Sequence, residues 1–396
     1  MQRVSNMIDR PDLPDDANGR AGRYVRQSTG YRAFIPLPLP PSPPLRIEAE
    51  MQTLLSRADR ALGRLDGAIH TLPDMDLFIF MYVRKEAVLS SQIEGTQSSL
   101  HDILEIEAQI FSPGRPDDSR EVLNYVAALN HGLARLSELP VSVRLIREIH
   151  EILMRGVRGQ ERQPGAIRTS QNWIGPAGRS LNEAIFIPPP AHELARLLGD
   201  LEKFIHEETA MPALVKLGLV HAQFETIHPF LDGNGRVGRL LITFLLCQSG
   251  VLTRPALYLS LYFKRHRQEY YDRLQEIRNR GAWEDWLAFF LEGIASVANE
   301  ATETCRKISR RREDDREMIM AHMSGAAGNG MKVLESMFRR PIATVGDIES
   351  HLGISYAGAN KIAKKLVEIG ILQEITGNRR NRHFIYARYV ALFAGD

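Results

Sequence analysis

A short polar run in the middle of the chain, Ile227 to Arg239 (IHPFLDGNGRVGR), constrains the fold more than any other stretch. Apolar residues at helical spacing precede it from Pro212 to Glu225 and resume behind it from Val237 to Ser249. The chain must end one helix, turn sharply and begin another within a few residues. Gly233, Asn234 and Gly235 supply the turn, because glycine reaches positive φ freely and lets a ligand approach the backbone. Their N–H groups then fall at a helix N-terminus, where unpaired donors and the dipole favour anions. Arg236 and Arg239 share one helical face near that end. Two guanidiniums and a glycine nest suit a polyphosphate. Asp232 places a carboxylate beside them, the ligand type for magnesium bridging phosphates. His228 is the side chain of this run that accepts a proton near neutral pH. The glycines alone read equally well as a capped turn with surface arginines. A base, a metal ligand and an anion site together favour chemistry. No GxxxxGK[ST] occurs, so this is not a Walker loop.

Composition narrows the rest. A chain of 396 residues suggests two or three domains. With 44% hydrophobic and 25% charged residues it has an ordinary globular balance, and a net charge of +2 leaves nucleic-acid contact to a local patch. Cys247 and Cys305 form no CxxC pair, which excludes a thiolate zinc site. Cys247 lies in an apolar run and reads as a buried thiol. Met1 to Arg20 lacks the apolar core of a signal peptide, and charges interrupt every apolar segment before it could span a membrane. A cytoplasmic location without a membrane partner is expected.

Five regions are expected along the chain: a disordered, Pro-rich lead (1–44), an N-terminal helical region (45–140), a catalytic core (141–300), a helix and linker (301–330), and a small C-terminal domain (331–396). Pro36 to Pro44 reads as a polyproline II strap packed over the surface, or as a ligand for a proline-reading domain. Ser112-Pro113-Gly114 is expected to stop a helix. The mixed charges from Arg310 to Asp315 read as a solvated helix face, and Gly325 to Gly330 as a flexible linker.

The run HxFx[DE]GNGRxxR, present as His228, Phe230, Asp232, Gly233, Asn234, Gly235, Arg236 and Arg239, resembles the signature of Fic domain proteins. The resemblance extends from about Leu45 to Ile294. It implies a mainly α fold, a Fic-type helical bundle with a short β-hairpin flap. It also implies transfer of AMP from ATP to a Ser, Thr or Tyr hydroxyl of a target protein, or of the chain itself. By resemblance, His228 is the general base and Asp232 holds Mg2+ between the α- and β-phosphates. Gly233, Asn234, Gly235 and Arg236 bind phosphate oxygens, and Arg239 orients the γ-phosphate. Phe230 anchors the loop. Arg179 to Ile187, with Ile185, Phe186 and Ile187, is similar to the flap that pairs with a target strand. Tyr270 and Arg278 fall where relatives contact adenine or ribose. Thr169 to Gly175 is also similar, and Trp173 within it reads as a core residue. The motif reads phosphates rather than a base, so UMP transfer stays open.

Ser90 to Gly95 (SSQIEG) is similar to a second family pattern, [ST]xxxE[GN], whose helix delivers a glutamate, here Glu94, to the second motif arginine and blocks the productive ATP pose. Some relatives also remove AMP with that glutamate. On residues alone, SxxxE followed by Gly95 is also a plain helix end. The C-terminal domain reads as three helices and a hairpin and resembles a winged helix-turn-helix. From Ser355 to Tyr389 there are seven Lys or Arg against two Glu, which suits DNA, while docking to protein is equally consistent with the fold. A homodimer stays open. A second class of function is a DNA-binding transcriptional regulator that senses nucleotide; it would need the phosphate cradle but no base.

Overall fold

The computed structural model describes residues 19–72, 75–110, 118–157, 161–175, 181–378 and 381–393. Two antiparallel strands, β1 (Gly22–Arg26) and β2 (Arg32–Pro36), lead into α1 (Ala49–His70), α2 (Met75–Ile93), α3 (Leu100–Glu107), α4 (Ser119–Arg135) and α5 (Val143–Leu153). After an irregular stretch come α6 (Leu194–His206), α7 (Ala213–Ile227), α8 (Asn234–Gln248), α9 (Ser260–Arg265), α10 (Arg267–Arg280) and α11 (Trp283–His322). The tail holds α12 (Ala327–Arg339), β3 (Ile342–Thr344), α13 (Val345–Leu352), α14 (Tyr356–Glu368), β4 (Gln373–Glu374), β5 (His383–Ile385) and α15 (Ala387–Val390). The expected mainly helical class holds.

Sequence explains the layering. Every residue of α7 from Leu217 to Ile227 is buried. A helix apolar on all sides is stable only at the middle of a bundle, and α8, α10 and α11 pack around it. Helix α1 buries Ala58, Ala61, Leu62, Leu65 and Ile69 in one stripe and lies along α11. At 40 residues α11 is about 60 Å long and links the bundle to the tail. Side-chain caps fix starts where sequence allows: Ser99 with Asp102 at α3, Ser142 at α5 and Thr344 with Asp347 at α13. No described helix is long and apolar enough to cross a membrane.

Several expectations are corrected. The lead is ordered from residue 19 onward, because β2 finds a partner outside its own hairpin: Phe34 N donates to Ile187 O at 2.9 Å. Phe34 is buried with Tyr24 edge-on to it. The rest of the expected disorder, at residues 1–18, lies outside the described residues, as does Ser112-Pro113-Gly114. The proline run does pack on the body, with Gln223 Nε2 donating to Leu37 O at 2.8 Å and Arg20 bonding the carbonyls of Pro43 and Pro44. It bends instead of forming a polyproline II strap, and Leu39–Pro40 and Ser42–Pro43 are cis.

Nor is Gly325 to Gly330 a flexible linker. Residues 324–326 form a 3-10 turn, and Gly328 and Gly330 fall in α12. Gly330 is needed for close approach: a Cβ there would stand 2.8 Å from Met323 Sδ and 3.1 Å from Ile319 Cγ2. Helix α12 thus folds back tightly on the end of α11. Asp315, expected on a solvated face, is fully buried and accepts from the Tyr386 hydroxyl and from Arg388 Nη1 at 3.3 Å. The expected hairpin gains a third strand, in the order β3-β5-β4. Phe393 is buried against Tyr82 and Phe78 of α2, with ring centroids 5.7 and 6.5 Å apart. Cys247 is only half-buried, although burial pushes its thiol up to about 12.

Candidate functional site

Helix α7 ends at His228, whose backbone is left-handed (φ 49, ψ 60) while its N–H still bonds Phe224 O at 3.0 Å. Residues other than glycine rarely adopt this conformation, so the turn must be held from outside. Arg168 Nε donates to His228 O at 2.9 Å, and Asn172 Nδ2 to Phe230 O at 2.7 Å. From the other side Asn234 Oδ1 accepts from Phe230 N at 2.9 Å and Asn234 Nδ2 donates to Phe230 O at 2.8 Å. The Asn234 side chain is thus engaged by the loop, leaving its backbone N–H for an anion. Phe230 is fully buried and stacked on His150 at 3.7 Å, the anchor expected of it.

Burial, then the charges of Arg278 and Arg168, lower the His228 pKa to about 3. Its Nδ1 is buried and has no hydrogen-bond partner among the described residues. The ring is therefore neutral across the physiological range, the form in which an imidazole nitrogen can accept a proton, although burial and the two arginines lower its affinity for one.

Helix α8 starts one turn further on, with Gly233 as its left-handed N-cap. Its first N–H groups have no intrahelical acceptor, as at every helix start. Arg239 is buried and bonded on one side of its guanidinium: Nε donates to Ser90 Oγ at 2.7 Å, and Nη2 to Ser90 O at 3.0 Å and Glu94 Oε1 at 2.7 Å. The Glu94 carboxylate also covers the glycine nest. A Cβ on Gly235 would collide with Glu94 Oε1 and come to 3.0 Å from Arg239 Nη1. Against the opposing effect of burial, Arg239, with Arg236 behind it, holds the Glu94 carboxyl below its ordinary value. The Glu94 side chain keeps 35% of its surface exposed.

Arg236 is paired as well, its Nη1 donating to Glu121 Oε2 of α4 at 3.1 Å. Asp232 Oδ1 accepts from Gly233 N at 2.7 Å, while Oδ2 faces Arg162 Nη1 at 3.4 Å. No group of three or more His, Cys, Asp or Glu that could hold a metal occurs among the described residues. One outward carboxylate oxygen fits magnesium only in the mode where phosphate and water oxygens complete the shell.

Of the flap, Arg179 and Ser180 lie outside the described residues. Beyond them Ile174 and Phe186 form a single antiparallel bridge. Phe186 and Ile187 are buried and Ile185 is 61% exposed. Trp173, expected in the core, is 41% exposed, because the bridge turns Ile174 toward the body and its neighbour outward. Arg278 sits 3.8 Å over the Phe186 ring and donates to Thr226 Oγ1 at 3.2 Å, tying the flap to the last turn of α7. Tyr270 is a correction: its ring is 1% exposed and its hydroxyl bonds His221 Nε2 at 2.8 Å, so it packs behind α8 and is not open to a ligand. Its neighbour Tyr271 is 38% exposed, and burial and the Glu94 carboxylate raise its hydroxyl pKa.

Sequence reasoning missed Arg168, Glu121, Arg162 and Tyr271. The first three are lone charges with no spacing that links them to the motif, and Tyr271 differs from Tyr270 only by helix phase.

Residues 52–134 match the Fic/DOC family N-terminal model, and residues 140–246 match the Fic/DOC family model. A probable protein adenylyltransferase of Aquifex aeolicus is 30% identical over 210 residues, 51% of this chain and 57% of that one. Protein adenylyltransferase Fic of Aedes aegypti is 29% identical over 206 residues, 50% of this chain and 38% of that one. The chain thus spans little more than half, or less, of these relatives' lengths. A Fic family protein from Desulfovibrio desulfuricans G20 shares the fold with a TM-score of 0.57 at 19% identity, covering 87% of this chain and 97% of that one.

Proposed function

We propose that this Fic-domain protein transfers AMP from ATP to a Ser, Thr or Tyr hydroxyl of a target protein, and that Glu94 restrains it. The observation that carries this reading is one cluster: a neutral imidazole at His228 beside the α8 nest, which Glu94 covers while bonded to Arg239. The names of the matched relatives support ATP as the substrate and protein as the acceptor.

On this reading ATP lies with its phosphates on the first N–H groups of α8, and Arg236 and Arg239 bond their oxygens. His228 takes the proton of the acceptor hydroxyl as its oxygen attacks the α-phosphorus, and pyrophosphate departs. Asp232 Oδ2 would hold magnesium, which when bound neutralises charge on the departing phosphates. The exposed edge at Trp173 and Ile185 would receive the target backbone. Glu94 occupies the nest and the second arginine, so ATP meets this arrangement only after the carboxylate swings toward solvent. In that position it is also placed to act on water, the basis for AMP removal by the same site.

The test is to incubate the Glu94→Gly variant with labelled ATP, CTP, GTP and UTP and to look for labelled protein. Labelling from ATP is expected. Labelling from UTP alone would reassign the transferred group, and nucleotide binding without labelling would favour the sensing regulator. For that second reading the tail offers α14, where Tyr356, Lys361 and Lys364 are exposed; Arg379 and Arg380 lie outside the described residues.

A further inference from the structure

Both motif arginines are held by carboxylates from the N-terminal helices, but the two carboxylates are not equivalent. Glu94 lies in the turn after α2 and keeps about a third of its side chain in solvent. Glu121 lies in the first turn of α4 with 8% of its side chain exposed, and the Arg236 side chain it bonds is 5% exposed. A carboxylate in a first helical turn is favoured by the helix dipole. The α4 start is anchored too: Asp118 accepts from the backbone N–H groups of Gln97 and Ser98, just beyond Glu94, and Ser119 Oγ meets Ser98 Oγ at 2.9 Å. Glu94 has room to leave its arginine, and Glu121 has none.

The remaining donors of Arg236 show what this achieves. Nη1 is taken by Glu121, Nη2 has only Met154 Sδ at 3.6 Å, and Nε is buried with no partner among the described residues. A buried guanidinium N–H without an oxygen acceptor is costly unless an acceptor arrives. The geometry points to Glu121 as a positioning residue: it fixes the Arg236 guanidinium at the α8 nest with donors open for a phosphate oxygen. It also sets the charge of the cradle. With Glu94 in place two guanidiniums face two carboxylates; when Glu94 leaves, Glu121 stays and one net positive charge remains for the triphosphate. This assignment rests on the reading of the cradle as an ATP site.

The test uses the full chain carrying Glu94→Gly, and reads ATP affinity by calorimetry and, separately, kcat and KM for labelling. Adding Glu121→Ala should weaken ATP binding about tenfold or more and lower kcat further, since misplacement of about 1 Å costs roughly a hundredfold. Glu121→Gln, which still accepts from Nη1, should recover most of both. Arg236→Ala with Glu121→Ala should be no worse than Arg236→Ala alone. Should Glu121→Ala not fold, Glu121→Asp decides in its place, because it keeps the charge but withdraws the carboxylate by one methylene. Unchanged affinity in the folded variant, or a loss that adds in full to that of Arg236→Ala, overturns the assignment. If Glu94→Gly binds ATP but labels nothing, the transfer reading falls while the binding series still decides Glu121.

Discussion

The side chains that carry the proposed chemistry are set by burial before they are set by charge. His228 is made neutral by its surroundings, with Arg278 and Arg168 adding to the effect. Replacing it should therefore remove proton transfer and leave the phosphate cradle intact. In the Glu94→Gly background, His228→Ala should bind ATP within a few-fold of its parent and label at least about a hundredfold more slowly. Undiminished labelling would remove His228 from its role. Glu225 makes the complementary case. Burial, opposed by Arg239 and reinforced by Glu94, raises its carboxyl to about 7, and its Oε1 has no partner among the described residues. A carboxyl whose pKa is raised on folding contributes stability that is full below the unfolded value of about 4.3 and is lost as pH rises through the folded one. Glu225→Gln should match the wild type in Tm near pH 5 and become the more stable of the two by pH 8. A Tm difference that does not change with pH would show that the carboxyl is already ionised in the folded protein.

At the scale of elements, the site is one helix junction plus what neighbouring helices bring to it. The junction was legible because its information is local: glycines, arginines and His228 all lie within a few residues of one turn. The partners were legible only where a second local pattern existed, as for Ser90 and Glu94 at the end of α2. Glu121 pairs with Arg236 across 115 positions and Arg168 reaches His228 across 60, so neither leaves a trace in spacing. Helix phase hid the contrast between Tyr270 and Tyr271 in the same way. The α2–α8 contact yields its own prediction. Glu94→Gly leaves the Arg239 guanidinium with Ser90 alone, which should cost roughly 1.5–3 kcal/mol without nucleotide. ATP should restore it, so the variant gains more Tm on adding ATP than the wild type does. Labelling should rise on the order of tenfold or more, given the sensitivity of such steps to pose. Adding Arg239→Ala should remove most of that gain, because the freed partner is gone. A variant that is folded yet no faster than wild type would refute restraint by Glu94 and leave His228 untouched.

At the scale of the whole molecule, composition suggested a tail hung on a glycine linker, and packing gives a different result. Glycine in a polar run has two uses, freedom and close approach, and sequence alone does not separate them. Here Gly330 lets α12 close on Met323 and Ile319. Asp315, hidden in a run of mixed charges, becomes the buried acceptor for Tyr386 and Arg388. Phe393 then carries the tail onto α2, the helix that leads to Glu94. Deleting residues 327–396 would uncover Ile319, Met323, Phe78 and Tyr82 and leave Asp315 without its partners. The truncated chain should therefore unfold several degrees below the full one. Phe393→Ala, a smaller insult at the same contact, should cost about 3–5 kcal/mol if the cavity stays open and lower Tm in the same direction. The cradle draws on no residue after Arg278, so ATP affinity of the folded truncated chain in the Glu94→Gly background should stay within a few-fold. Thermal unfolding and calorimetry on the two chains check both halves. An unchanged Tm would mean that the tail is separable after all, and lost binding in a folded truncation would mean that it reaches the site.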